Sequence, residues 1–152
     1  MPDIALRTTI ITGFPGETEE DFQEVLDFIS EMRFDRLGAF PYSQEEGTKA
    51  AEMEDQIPEK LKNQRLSQIM ELQQNIAFRK AEEQIGRKLK VLVCGYDEEE
   101  QRVLCRSYMD APDVDSYLYV FGEKKEAGSF LYTKVVDTEG YDLIGEWCES
   151  AE

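Results

Sequence analysis

The residues of this chain best suited to meet a ligand lie in the run Gly13-Phe14-Pro15-Gly16-Glu17-Thr18. Gly13 and Gly16 flank a proline of fixed φ, so the main chain can turn sharply and come close to whatever binds there. Thr18 is placed as a helix N-cap, and Glu19, Glu20 and Asp21 fill the first turn, where carboxylates favour the helix dipole. That acidic start would repel a phosphate, and Gly-x-Pro-Gly is neither the dinucleotide fingerprint nor a phosphate loop. Two readings of the turn stay open: a backbone contact for a ligand, and a tight strand-to-helix connection with no ligand. Elsewhere the chemistry is sparse. The chain has no histidine, the commonest general base and metal ligand. Cys94, Cys105 and Cys148 are odd in number and show no Cys-x-x-Cys spacing, which leaves zinc, disulfides and an iron–sulfur cluster unsupported. Cys94 and Cys105 could face each other across a hairpin, and both are expected to be reduced core residues.

The elements that position the turn follow from periodicity. Residues 8–12 are a β-branched run without alternation, the pattern of a strand covered on both faces. After Thr18, Phe22, Val25, Leu26, Ile29 and Met32 recur at helical spacing, the stripe of an amphipathic helix packed on a sheet. Residues 36–42 form a second short strand, which completes one right-handed βαβ crossover. Its carboxyl-end loops, residues 13–17 and 42–48, should lie side by side and line one pocket. One crossover cannot cover both faces of its sheet, so the chain is expected to be the tail of a larger α/β body. Its exposed strand edges could pair with a second copy.

Residues 50–56 are acidic and irregular, and a helix runs from Pro58 to about Gln84, on the order of 40 Å long. Its apolar positions, Leu61, Leu66, Ile69, Met70, Leu72 and Ile76, are interleaved with Arg65, Gln73, Gln74 and Arg79, which suits a connector between domains. From Lys88 the period changes to two. Residues 88–94, 102–107, 117–121, 130–136 and 141–147 read as five short strands of a small antiparallel barrel.

Net charge is −16, with 9 basic and 18 acidic residues in 1–86 and 8 and 15 in 87–152. Neither part has the basic surplus that phosphate binding requires, so nucleic acid is disfavoured and a basic partner favoured. Tyr108, Tyr117, Tyr119, Phe121, Phe130 and Tyr132 supply aromatics of the kind that stack bases, yet a positive groove is missing, and filling and rimming the barrel is the preferred role. No stretch has the length and hydropathy of a membrane span, and the amino terminus lacks a basic n-region, so the expected location is cytoplasmic.

Two stretches together carry a resemblance. Residues 13–18 with the following Glu20-Asp21-Phe22, then Pro41-Tyr42-Ser43 and Gly47-Thr48-Lys49-Ala50, resemble the last third of the barrel in radical S-adenosylmethionine methylthiotransferases. The small barrel is similar to the TRAM domain that ends those enzymes. The implied fold class is α/β plus all-β: a partial radical S-adenosylmethionine (β/α) barrel over residues 1–56, a linker helix over 57–86, and a five-stranded antiparallel, OB-like TRAM barrel over 87–152. Residues 106–115, Arg-Ser-Tyr-Met-Asp-Ala-Pro-Asp-Val-Asp, resemble the branch that methylthiolates an aspartate of small ribosomal subunit protein twelve. The resemblance implies Gly13, Pro15, Gly16 and Glu17 near S-adenosylmethionine, Tyr42 and Ser43 flanking its adenine, and Arg106, Asp110, Pro112 and Asp113 on the surface that meets a basic ribosomal protein. It also implies S-adenosylmethionine and two four-iron four-sulfur clusters in the full-length parent. Their cysteine loops are missing here, so none is fully ligated and the fragment alone is expected to be inactive. The rival readings are a fragment of a tRNA-modifying relative, whose barrel would bind RNA, and a non-enzymatic protein-interaction module.

Overall fold

A computed structural model describes residues 1–150, and the chain divides into two compact units, Met1–Ile76 and the part from Ala77 onward. In the first unit β1 (Arg7–Thr12), α1 (Glu19–Met32) and β2 (Arg36–Pro41) form one βαβ unit, its strands paired in parallel with Ile10 opposite Ala39 and Thr12 opposite Pro41. Thr18 caps α1 as its residue type dictates. Its hydroxyl accepts the Asp21 N–H at 3.1 Å, and the Asp21 carboxylate accepts the Thr18 N–H at 2.9 Å, a reciprocal box. The helix ends at Arg33, whose φ of 48° is left-handed.

Phe22 and Ile29 of α1 are buried with Val25 and Leu26 packed beside them, whereas Met32, the last helical residue, is exposed. Ile10, Leu37 and Ala39 face the same cluster. Ile11 and Phe40, directly opposite each other in register, do not: Phe40 is 61% exposed. The β-branched run of β1 is therefore covered on one face only, a correction to the two-faced burial expected from its sequence. A short 3-10 turn, Ala50–Glu52, interrupts the stretch expected to be irregular.

α2 (Glu59–Glu83) follows Pro58. Its buried face within the first unit is Lys62, Arg65, Ile69, Gln73 and Ile76, spaced three and four residues apart. This part of the helix is a packed wall of the first unit, and the helix runs on into the second. Gln73 Nε2 donates to the Phe34 carbonyl at 2.9 Å and so holds the end of α1.

The second unit takes over the last turns of α2. Phe78 meets Tyr141 edge-on at 4.9 Å, and Ala81 joins the barrel core. β3 (Lys88–Asp97), β4 (Arg102–Arg106), β5 (Leu118–Phe121), β6 (Phe130–Glu139) and β7 (Asp142–Cys148) close into a barrel in the order β3-β4-β5-β7-β6. The barrel was expected to be antiparallel throughout, but β5 and β7 pair in parallel. The reason is parity: strand direction cannot alternate all the way round a closed ring of five. Leu89, Val91, Val93, Val103, Cys105, Leu118, Val120, Val135 and Leu143 fill the interior at alternate positions. In β3, Val93 lies opposite Cys105 and Gly95 opposite Leu104, which leaves Cys94 as the extra residue of a bulge. Cys94 is accordingly exposed, not a core residue as expected.

Candidate functional site

The parallel pairing carries the ends of β1 and β2 to one edge of the sheet, where the Tyr42 N–H donates to the Thr12 carbonyl at 2.7 Å. The Phe14 ring meets the Tyr42 ring edge-on at 5.4 Å. Gly13, Pro15, Gly16 and Tyr42 are thus brought together, as the topology predicts. Gly13 (φ 70°) and Gly16 (φ 84°) occupy the left-handed region, and Pro15 between them is buried. The Gly16 N–H is taken by the Asp55 carbonyl at 2.8 Å. Ser43 stands apart from the turn's polar groups, its hydroxyl donating to Glu45 Oε1 at 2.7 Å.

Two cations that the sequence reading passed over organise this edge. Arg65 Nη1 donates to Glu17 Oε1 at 2.7 Å and to the Glu17 carbonyl at 3.2 Å, and its guanidinium lies 5.4 Å from the Phe22 ring centroid. Glu17 Oε1 also accepts the Gly13 N–H at 3.1 Å. Its carboxylate is therefore engaged within the fold, and the pair is almost dry: the Arg65 side chain is 4% exposed and that of Glu17 11%. Lys62, one turn earlier and equally buried, donates to the Tyr42 carbonyl at 3.0 Å. The signal for both was their register with Ile69, Gln73 and Ile76, hidden because they are charged. Two polar atoms at this edge are buried without a hydrogen-bond partner, Arg65 Nε and the Tyr42 hydroxyl oxygen. An orphaned hydroxyl beside two left-handed glycines fits a polar organic ligand at the loop ends.

In the barrel, residues 107–115 form a self-tied stretch of the connection between β4 and β5. Asp110 Oδ2 accepts from the Ser107 hydroxyl at 2.8 Å and the Ser107 N–H at 3.2 Å, and Asp115 Oδ2 accepts the Ala111 N–H at 2.7 Å. Asp113 sits at a left-handed φ of 58°, exposed together with Pro112 and Val114. Arg106, the last residue of β4, donates from Nε to Cys94 Sγ at 3.2 Å across the hairpin. The loop's C-terminal flank is anchored by Asp142, which accepts the Tyr117 N–H at 2.9 Å. Burial pushes the Asp142 carboxyl above its ordinary range in spite of that hydrogen bond.

The pairing of the barrel strands gathers lysines and aromatics side by side, with Glu146 opposite Lys134 on its other flank. The register of β3 against β6 sets Lys88 beside Lys134, Lys90 beside Tyr132 and Leu92 beside Phe130. Lys90 Nζ lies 5.0 Å from the Phe130 ring centroid. Phe130, Tyr132 and Trp147 line a cavity of about 260 Å³ with Lys125 and Glu149 at its margin.

The cysteines do not form a cluster site. Cys105 is sealed in the core, Cys94 is exposed on a bulge, and the Cys148 thiol is directed to the Ser150 carbonyl at 3.6 Å. Among the described residues no group of three or more Cys, Asp or Glu could hold a metal ion. Burial, with a smaller push from the neighbouring Cys94, raises the Cys105 thiol to about 12. At pH 8 iodoacetamide is therefore expected to alkylate Cys94 in the folded protein and to spare Cys105 until denaturant is added, which mass spectrometry of tryptic peptides reads directly.

The barrel is of the class its closure and strand order define, and residues 85–148 match the TRAM domain family. Along 95% of its length the chain is 51% identical to the ribosomal protein uS12 methylthiotransferase RimO of Lachnoclostridium phytofermentans. It is 51% identical over 96% of its length to the protein of that name from Desulfitobacterium hafniense, and 46% identical over 96% to that of Geobacter sulfurreducens. Each match takes in 33% of the relative, so the chain spans about a third of the length of the curated relatives it matches. The likeness to these relatives runs through both units, whereas the TRAM match is confined to residues 85–148. No helix among the described residues is long and apolar enough to cross a membrane.

Proposed function

We propose that this chain is the C-terminal part of a methylthiotransferase that modifies an aspartate of ribosomal protein uS12. In this reading the first unit supplies the last βαβ segment of a radical S-adenosylmethionine barrel, and the TRAM barrel docks the basic protein substrate. The observation that carries it is the extent of the likeness: about half of all positions agree with proteins so named, through both units and not the barrel alone.

The edge formed by Gly13, Pro15, Gly16 and Tyr42 is the part of the S-adenosylmethionine site that this chain contributes, with the Tyr42 hydroxyl as an unpaired polar atom. Ser43 adds a hydroxyl at the rim. Glu17 acts one step back, fixing the Gly13 N–H. When bound, S-adenosylmethionine supplies the radical that opens the substrate C–H bond. The chain's residues bind it, orient it and exclude water from the Phe14 and Tyr42 side. The two iron–sulfur clusters belong to parts of the parent outside these 152 residues, because the three cysteines here do not converge. By itself the chain is inactive. The exposed Ile11 and Phe40 face is the one the rest of the barrel would cover, or a second copy of the chain in its absence.

Arg106, Asp110, Pro112 and Asp113 form the docking surface for uS12, with Asp113 as its most projecting carboxylate. The lysine and aromatic face of β3 and β6 favours the second reading, a barrel that grips tRNA. One titration separates them. The chain is expected to bind uS12, and Asp113→Lys to weaken that binding about tenfold, or ~1.4 kcal/mol. Binding of tRNA with a steep salt slope, and none of uS12, would replace this assignment with the second reading.

A further inference from the structure

Among the described residues Lys62 is the one buried lysine. Packing alone does not require it, since an apolar side chain of the same length would fill the stripe of α2 without giving up the hydration of an ammonium. Its contacts are specific. Nζ donates to the Tyr42 carbonyl at 3.0 Å and stands 5.2 Å from the Tyr42 ring centroid. Its stem occupies the space where a Cβ on Gly13 would be, so the stem passes only because residue 13 is a glycine. Its own carbonyl accepts the Thr12 hydroxyl at 3.2 Å. One residue therefore touches the end of β1, the turn after it, and the first residue past β2. The bond from Nζ to Glu59, 2.8 Å, is to a side chain that is 76% exposed, and contributes little.

We propose that Lys62 is a positioning residue for the cofactor edge. It ties the main chain of Tyr42 to the Gly13 turn, and sets the separation of the two loop ends before S-adenosylmethionine arrives. The inference rests on the cofactor reading given above and adds to it a residue from α2, outside both loops. Preorganisation of this kind reaches affinity by removing the ordering that binding would otherwise require.

Lys62→Met keeps the stem and removes the donor, and Lys62→Arg keeps a donor within reach of the Tyr42 carbonyl. The 152-residue chain is titrated with S-adenosylmethionine and followed by the amide resonances of Gly13, Gly16 and Tyr42, with amide exchange rates and the urea midpoint measured on the same samples. In Lys62→Met the urea midpoint is expected to stay close to that of the unsubstituted chain. The Tyr42 and Gly13 amides exchange at least tenfold faster, and the Kd for S-adenosylmethionine rises about tenfold. Lys62→Arg recovers both. A Lys62→Met chain with unchanged exchange and unchanged Kd overturns the role given to Lys62 and leaves the cofactor assignment standing. A midpoint that falls together with the affinity, with no recovery in Lys62→Arg, reduces Lys62 to a structural residue. An unsubstituted chain that does not bind S-adenosylmethionine overturns the cofactor assignment itself and the purpose given to Lys62 with it.

Discussion

Gly145→Ala is expected to destabilise the barrel by about 3 kcal/mol, a large part of the roughly 5–15 kcal/mol that holds a domain of ordinary stability. Gly145 lies in β7 opposite Val135, and a Cβ there would stand 2.1 Å from Thr133 Oγ1, 3.1 Å from Leu118 Cδ2 and 3.3 Å from the Lys134 carbonyl. The hydroxyl cannot simply swing aside, because Thr133 is fully buried and donates to the Glu146 carbonyl at 3.0 Å. Relief thus means an overpacked core or a buried hydroxyl without a partner, each worth about 1–3 kcal/mol. Gly95→Ala is the matched control: a Cβ at Gly95, in the bulge of β3, meets nothing within 4 Å, and its effect should stay within about 0.5 kcal/mol. Trp147, the chain's one tryptophan, is two residues from Gly145 and reports both midpoints by fluorescence in a urea titration. Equal midpoints for the two variants would show that the barrel wall at β7 is looser than its geometry states.

Gly145 also marks where sequence reasoning stops. The strands were legible because their signal is local: Val91, Val93, Val103 and Cys105 alternate with outward residues, and every one of the five expected strands overlaps an observed one. The parallel contact of β5 with β7 was not, since closure of a ring is a property of the whole set and leaves no mark on any one strand. The bulge at Cys94 was equally invisible, because one extra residue shifts a register without changing composition. Net charge is blind in another way. It sums over the barrel, whereas Lys88, Lys90 and Lys134 come together only through the pairing of β3 with β6.

The edge of the first unit was half legible for a related reason. Gly13, Pro15, Gly16 and Thr18 announce a turn and a cap by residue type, and the order of strand, helix and strand places Tyr42 next to them. What hydropathy could not show is that the buried face of α2 is half polar. Counting apolar residues gave a broken stripe, while counting positions at three and four gives an unbroken one from Lys62 to Ile76. The charged members are tolerated inside because each has partners: Lys62 the carbonyl of Tyr42, just past β2, and Arg65 the carbonyl and carboxylate of Glu17 in the turn before α1, with the exposed Glu19 carboxylate at 3.4 Å.

The sharpest test of that arrangement is Arg65→Met, expected to destabilise the first unit by about 3–5 kcal/mol, the cost of removing one member of a buried pair and leaving the other charged and alone. Methionine fills much of the same volume against Phe22, so the loss is electrostatic more than steric. The carboxylate of Glu17 would keep the Gly13 N–H at 3.1 Å but lose the 2.7 Å bond from Arg65 that compensates its removal from water. Glu17→Gln in the same chain answers the question of cause, because the neutral amide oxygen can still accept the Gly13 N–H and carries no charge to bury. The double variant Arg65→Met with Glu17→Gln is therefore expected to be more stable than Arg65→Met alone by about 1–3 kcal/mol, a coupling of the size seen between residues in direct contact. Urea unfolding followed by the helical signal of α1 and α2 measures all three variants against the parent chain. Additive losses would mean that Glu17 and Arg65 act independently, and the turn would then owe its shape to Gly13, Pro15 and Gly16 without help from the helix that packs behind it.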